Sequence, residues 1–239
     1  MPTVVELSDP YANFMVNPLP PEADGVCIRC LTFTAGYDTC YPCSRRRVVV
    51  DALLPISYSV HLGQLHTALR GYKDSLAPVS QRFTLELAAV LWRFLDRHEG
   101  CLAARVGVSE FEVVATVPST SPERDETHPL HRIVGTIVGH TRDRYGQLLR
   151  PSGKDIDPRE FDPRRYVATQ RLAGESILLI DDTWTTGANV ESAAAVLREA
   201  GAGRIGAVVI GRHVREDFGD NAVRLRALPR FSWERCTLG

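Results

Sequence analysis

The stretch SILLIDDTWTTGANVESAAAVLREAGA, residues 176–202, decides the fold. SILLI (176–180) is an unbroken apolar run of strand length, the pattern of a strand buried on both faces. NVESAAAVLREAGA (189–202) carries apolar residues at helical spacing and places Gly201 near its end, where a helix stops. IGAVVIGRH (205–213) reads as a further buried strand. Strand, helix, strand in that order predicts a parallel crossover. The chain is therefore expected to be α/β, a parallel sheet flanked by helices.

Asp181 and Asp182 stand where SILLI ends, and ligands of open α/β sheets gather at the carboxyl ends of strands. Thr183, Trp184, Thr185, Thr186 and Gly187 follow, then the helix. Backbone amides of such a turn and the helix N-terminus converge on one point and favour an anion, and threonine hydroxyls add donors. The carboxylates would repel a phosphate, but adjacent acceptors suit a vicinal diol. A ligand with a phosphate at one end and sugar hydroxyls nearby, such as ribose 5-phosphate, satisfies both halves.

Working outward, VVVDALLPISYS opens a mixed α/β region at about residue 48. HLGQLHTALRGYK (61–73) and QRFTLELAAVLWRFLDRH (81–98) have helical spacing, and FEVVATVPST (111–120) reads as a strand cut off by Pro118. HPLHRIVGTIVG (128–139) is apolar at helical spacing. Residues 140–169 are rich in charge, Gly and Pro, the composition of a functional or disordered loop. Residues 1–25 contain several prolines and little periodicity and read as an irregular arm.

Between the arm and the α/β region lies Cys27-x2-Cys30-x9-Cys40-x2-Cys43. Four thiolates at this spacing can close a tetrahedral zinc site with no position left for water, hence a structural one. An iron–sulfur cluster is compatible with the spacing too. Paired disulfides are disfavoured if the protein is cytosolic. Cys101 and Cys236 read as packing or terminal residues.

Lys and Arg total 28 and Asp and Glu 29, for a formal net charge of −1. That balance lacks the polycationic signature of a dedicated nucleic-acid binder, and the basic run Arg45–Arg47 reads as a solvated face. No apolar run reaches the roughly 20 residues of a membrane helix, and the N-terminus has no charged-then-apolar leader pattern. The expected location is cytoplasmic.

ILLIDDTWTTGA resembles the phosphoribosyl-pyrophosphate (PRPP) motif of type I phosphoribosyltransferases: an apolar strand, two acids and a turn ending in Thr-Thr-Gly. The resemblance implies that Asp181 and Asp182 contact the ribose hydroxyls and carry the catalytic role. Thr183, Thr185, Thr186, Gly187, Ala188 and Asn189 would line the 5′-phosphate loop. Asn189 stands where the family usually has Thr or Ser; it can cap the helix and donate a hydrogen bond. Trp184 replaces a smaller aliphatic residue. The four-cysteine module ahead of this motif resembles the ComF-like branch, some members of which are linked to DNA uptake. The expected organisation is an arm and zinc-ribbon-like module at 1–47 and a phosphoribosyltransferase-like domain at 48–239. By family position, Ser119, Thr120 and Lys73 would meet pyrophosphate. Residues 142–165 would form a mobile hood whose Arg150, Lys154, Arg164 and Arg165 neutralise it. His128, His131 and Arg132 could face the same cleft. The segment PERDETHPLHRI lacks the family's Arg-Gly-Phe-Asn-Gln run. Magnesium would arrive with PRPP, held by its oxygens and water. The implied reaction transfers a phosphoribosyl group to an unknown base or amine, and dimers are common in the family. Two alternatives stay open: a PRPP-binding regulator without transfer, and an interaction protein of the ComF kind.

Overall fold

The structure, a computed structural model, describes residues 2–74 and 76–238. Its main sheet has four parallel strands: β1 (Ala52–Val60), β2 (Val113–Thr116), β5 (Ile177–Trp184) and β6 (Ile205–Val214), in the order β1-β6-β5-β2. A separate antiparallel pair, β3 (Leu149–Pro151) and β4 (Tyr166–Ala168), lies in the segment between β2 and β5.

The apolar runs are explained by burial on both faces. Along β5, Leu178 and Ile180 enter the core formed with helices Gln64–Asp74 and Ala77–Val106, while Ile177 and Leu179 enter the core under helix Ala188–Ala200. Val208 and Ile210 of β6 face the first core, and Ala207 and Val209 the second. Period-two alternation thus partitions one apolar run between two cores. Helix Ala188–Ala200 stops at Gly201, whose φ of 113° only glycine adopts without strain.

Two expectations need correction. The strand carrying the acids does not end at residue 180. Pairing with β6 continues through Asp181↔Val209, Thr183↔Gly211 and Trp184↔Arg212, so both acids and Thr183 are strand residues and the turn is only 185–187. The arm at 1–25 is not wholly irregular. Thr3 and Glu6 form a reciprocal capping box that starts helix Val4–Ser8, and Tyr11 and Met15 pack into the first core. The helical spacing of 128–139 does correspond to helix, α over Pro129–Arg132 and continuing as π over Ile133–Ile137.

The four-cysteine segment shares its packing with the sheet. Cys27, Cys30 and Cys43 belong to the same apolar cluster as Trp184 and Val209. The amides of Val49 and Val50 donate to the buried Glu191 carboxylate on helix Ala188–Ala200. Among the described residues, no helix is long and apolar enough to cross a membrane.

Candidate functional site

All four strands of the main sheet end on one side, and a cavity of about 360 Å³ opens there. It is lined by residues from three strand ends and their following segments, among them Lys73, Ser119, Thr120, Asp181, Asp182, Thr183, Thr185 and Asn189. With His128, nine of the residues singled out from the sequence therefore share one space, although Lys73 and Asn189 are 116 positions apart (189 − 73). Thr186, Gly187 and Ala188 lie behind that lining. Thr186 instead borders a neighbouring cleft with Arg45, Arg46 and Arg47.

The two acids occupy different electrostatic states. Asp182 accepts from the Tyr72 hydroxyl at 2.8 Å and is ion-paired with Lys73 at 2.5 Å. Burial opposes its charge, but Lys73 and Tyr72 outweigh it and hold the carboxyl below its usual range. Asp181 is equally buried, faces the charge of Asp182, and accepts one bond, from the Asp182 amide at 2.8 Å. Burial and that neighbouring charge push it well above the carboxylate range. The site thus pairs a carboxyl held toward its charged form with a neighbour pushed toward its neutral form. The two titrate together, as neighbouring acids must.

The turn after β5 is built on Trp184. Its indole is buried, and a Cβ on Gly187 would collide with that ring; Gly187 also has φ 86°. The bulky residue therefore acts beneath the turn, outside the cavity lining. The amides of Thr185, Thr186 and Gly187 donate to no group among the described residues, whereas the Ala188 amide donates to Thr186 Oγ1 at 3.3 Å. Asn189 does not cap the helix. Gly187 occupies the cap position, and Asn189 Oδ1 is buried without a partner beside the cavity. Free amides and a helix N-terminus at one spot form an anion-binding arrangement.

A second turn, Val117–Thr120, faces the first across the cavity. It is held by a relay that the sequence did not reveal. The Ser119 amide donates to Asp125 Oδ1 at 2.7 Å, and the same oxygen meets His131 Nε2 at 3.1 Å. His131 Nδ1 contacts the Tyr145 hydroxyl at 2.8 Å and Thr116 Oγ1 at 3.0 Å. Tyr166 closes the set by donating to the Pro118 carbonyl at 3.2 Å. His131 therefore orients the turn and does not line the cavity. His128 does line it; its Nδ1 accepts from the Leu130 amide at 3.3 Å and caps the short helix. Burial first, then the Lys73 charge, lowers its pKa to about 4, so the imidazole is neutral at pH 7. Asp125, Tyr145 and Tyr72 carried no motif; only their folded contacts identify them.

The segment 142–165 contributes no lining residue. Arg165 is buried and donates to the carbonyls of Asp157 and Glu160 at 2.7 and 2.9 Å. Arg164 pairs with Asp162, whose backbone amide is anchored on Ser192 of helix Ala188–Ala200. These two arginines shape the segment and do not face the cavity, and Arg150 and Lys154 are likewise outside it.

Cys27, Cys30, Cys40 and Cys43 bring their sulfur atoms within 4.8 Å of one another, a set that can hold a metal ion such as zinc. Arg212 of β6 ties this set to the turn. Its buried guanidinium donates to Cys30 O at 2.7 Å and Cys30 Sγ at 3.3 Å, and to the carbonyls of Trp184 and Thr185, both at 3.1 Å. A buried cation against a thiol cluster suits a metal–thiolate centre, whose net charge is negative.

No family model matches the chain, and no curated protein matches it.

Proposed function

We propose that the cavity binds PRPP together with magnesium, and that the protein transfers the phosphoribosyl group to a nitrogen acceptor with release of pyrophosphate. One observation carries this reading: Thr185, whose amide is unpaired, lines one cavity with a buried acid pair, Asp181 and Asp182. Phosphate would sit on the turn and the ribose hydroxyls on the acids. A parallel sheet with the acids at the carboxyl end of an inner strand supports a type I phosphoribosyltransferase-like fold. The four cysteines would hold structural zinc, with Arg212 as its charge partner.

The Val117–Thr120 turn lies opposite, at the place where the leaving pyrophosphate needs donors. Lys73 and Arg124 supply positive charge in the cavity. As the bond from C1 to the pyrophosphate oxygen breaks, negative charge grows on that oxygen, and these groups stabilise it. The acceptor nitrogen forms the new bond to C1 and loses its proton. Magnesium, when bound with PRPP, neutralises phosphate charge; Asp74, Asp181 and Asp182 are the cavity carboxylates able to meet its water shell. Because Lys73 is paired with Asp182, ligand binding must redistribute that contact.

Calorimetric titration with PRPP and magnesium, against ribose 5-phosphate, tests the proposal. Saturable PRPP binding is expected, abolished in the Asp181→Asn/Asp182→Asn double variant with the fold retained. Unchanged affinity in that variant, or no binding to folded, zinc-loaded protein, refutes the assignment. Binding without pyrophosphate release from any base or amine would favour a PRPP-sensing role over transfer.

A further inference from the structure

We propose a second metal site, outside the cavity and the four-cysteine cluster, formed by His98, Cys101 and Cys236 and suited to a zinc-like divalent ion. It would clamp the C-terminal segment onto the long helix Ala77–Val106.

The three residues meet because of the tertiary fold. His98 and Cys101 are three positions apart on that helix and so share a face. Cys236 arrives from the other end of the chain. The segment before it is seated on the same helix: Trp233 is buried, its ring lies 4.4 Å from the Arg93 guanidinium carbon, and Glu234 accepts from Arg97 at 3.0 Å. Ser232 exchanges two hydrogen bonds with the Asn17 side chain. One ligand atom from each of His98, Cys101 and Cys236 then lies within 4.8 Å of the others. Zinc bonds of about 2.1 Å to nitrogen and 2.3 Å to sulfur require ligand separations near 3.5 Å. Movements of about an ångström close the set, and both cysteines are only half-buried.

The state of His98 is the observation that points to an ion. Its side chain is buried at 4 % exposure, and Nε2 lies 2.8 Å from the Trp233 carbonyl oxygen. A carbonyl only accepts, so Nε2 carries the proton and Nδ1 presents a lone pair. That Nδ1 is buried and has no hydrogen-bond partner. An orphaned buried acceptor is costly and requires an explanation. A histidine whose far N–H is fixed by a carbonyl, whose other nitrogen has no partner, and whose ring lies beside two thiols, matches the arrangement that metal-ligating histidines adopt. The donor set of one imidazole and two sulfurs selects zinc-like ions over magnesium or calcium. A water on the half-exposed cysteine side would complete four-coordination.

The cluster His61, His66 and His213, also within 4.8 Å, is weaker by the same criterion. His66 Nδ1 accepts from the Leu62 amide, so its proton sits on the remaining nitrogen and that lone pair is lost.

The test is zinc stoichiometry by native mass spectrometry on reduced, full-length protein loaded with Zn²⁺ and freed of excess. Wild type is expected to hold two zinc ions, Cys236→Ser one, Cys27→Ser one, and the Cys27→Ser/Cys236→Ser variant none. Cys101→Ser should behave as Cys236→Ser does; both positions are half-buried, so folding is checked by circular dichroism. Alkylation of Cys236 is expected to slow at least about tenfold when zinc is present. One zinc in wild type, two in Cys236→Ser, or a Cys101–Cys236 disulfide in the zinc-loaded protein overturns the proposal.

Discussion

Replacing Arg212 by Met should reveal how strongly the four-cysteine module braces the turn after β5. The substitution keeps the apolar stem and removes a cation that is 4 % exposed. The lost donors leave the carbonyls of Cys30, Trp184, Thr185 and His213 without that partner, and leave Cys30 Sγ without its cation. Each lost neutral bond costs about 1 kcal/mol. Stripping one partner from a buried charge pair costs roughly 3–5 kcal/mol. These contributions overlap, because they share one side chain, so the expected loss is about 4 kcal/mol. For a chain of this size that lowers Tm by roughly 8–16 °C. Arg212→Lys keeps a charge but not the fork, and should lose about half as much. The assay is urea unfolding of zinc-loaded protein, repeated on Cys27→Ser. Without the metal–thiolate centre the charge partner is gone, so the Arg212→Met penalty should fall by at least about 1 kcal/mol from its zinc-loaded value. A penalty below about 1 kcal/mol in zinc-loaded protein, or an equal penalty in both backgrounds, would refute the coupling.

Cys27→Ser alone should abolish zinc binding at the four-cysteine site and weaken PRPP binding, since Arg212 loses the anion that holds it near Thr185; metal analysis beside calorimetry checks both. Gly187→Ala should cost about 1–3 kcal/mol, because φ 86° and the Trp184 ring both oppose a side chain there; a melting temperature equal to wild type would contradict the stated packing. His128 has a folded pKa of about 4 against an ordinary 6.5. The unfolded chain therefore takes up the proton first, and stability is full above about 6.5 and falls as pH drops toward 4. The shift is worth at most about 3 kcal/mol, discounted to roughly 2 for partial exposure. A His128→Asn variant should lose that part of the slope in pH-dependent melts.

The sequence exposed the parts of this protein in which local pattern and burial agree. SILLI, the helix ending at Gly201 and IGAVVIGRH are long apolar segments with clear stops, and they fold as a parallel strand–helix–strand unit. The cysteine spacing likewise announced four thiols that do gather. The acids were visible because two charges at the end of a buried run are locally anomalous. What local pattern could not show is where a strand ends when its neighbour continues to pair, which is why Asp181 to Trp184 belong to β5. Nor could it assign 142–165, whose arginines are drawn to backbone carbonyls and Asp162 and away from the cavity.

The sequence by itself determined the α/β class, the crossover, the thiol set and the two acids, because each depends on residues close together in the chain. Only the tertiary structure decided the electrostatics and the alliances. Asp182 held by Lys73 and Tyr72 spans 109 and 110 positions of chain, by subtraction of the residue numbers. The Arg212 brace and the meeting of His98 with Cys236 are likewise contacts between distant segments, and the relay Asp125–His131–Tyr145 joins groups 6 and 14 positions apart that no motif marks. Such contacts leave no periodicity, because each is fixed by packing of whole elements and by the cost of leaving a buried polar group unpaired.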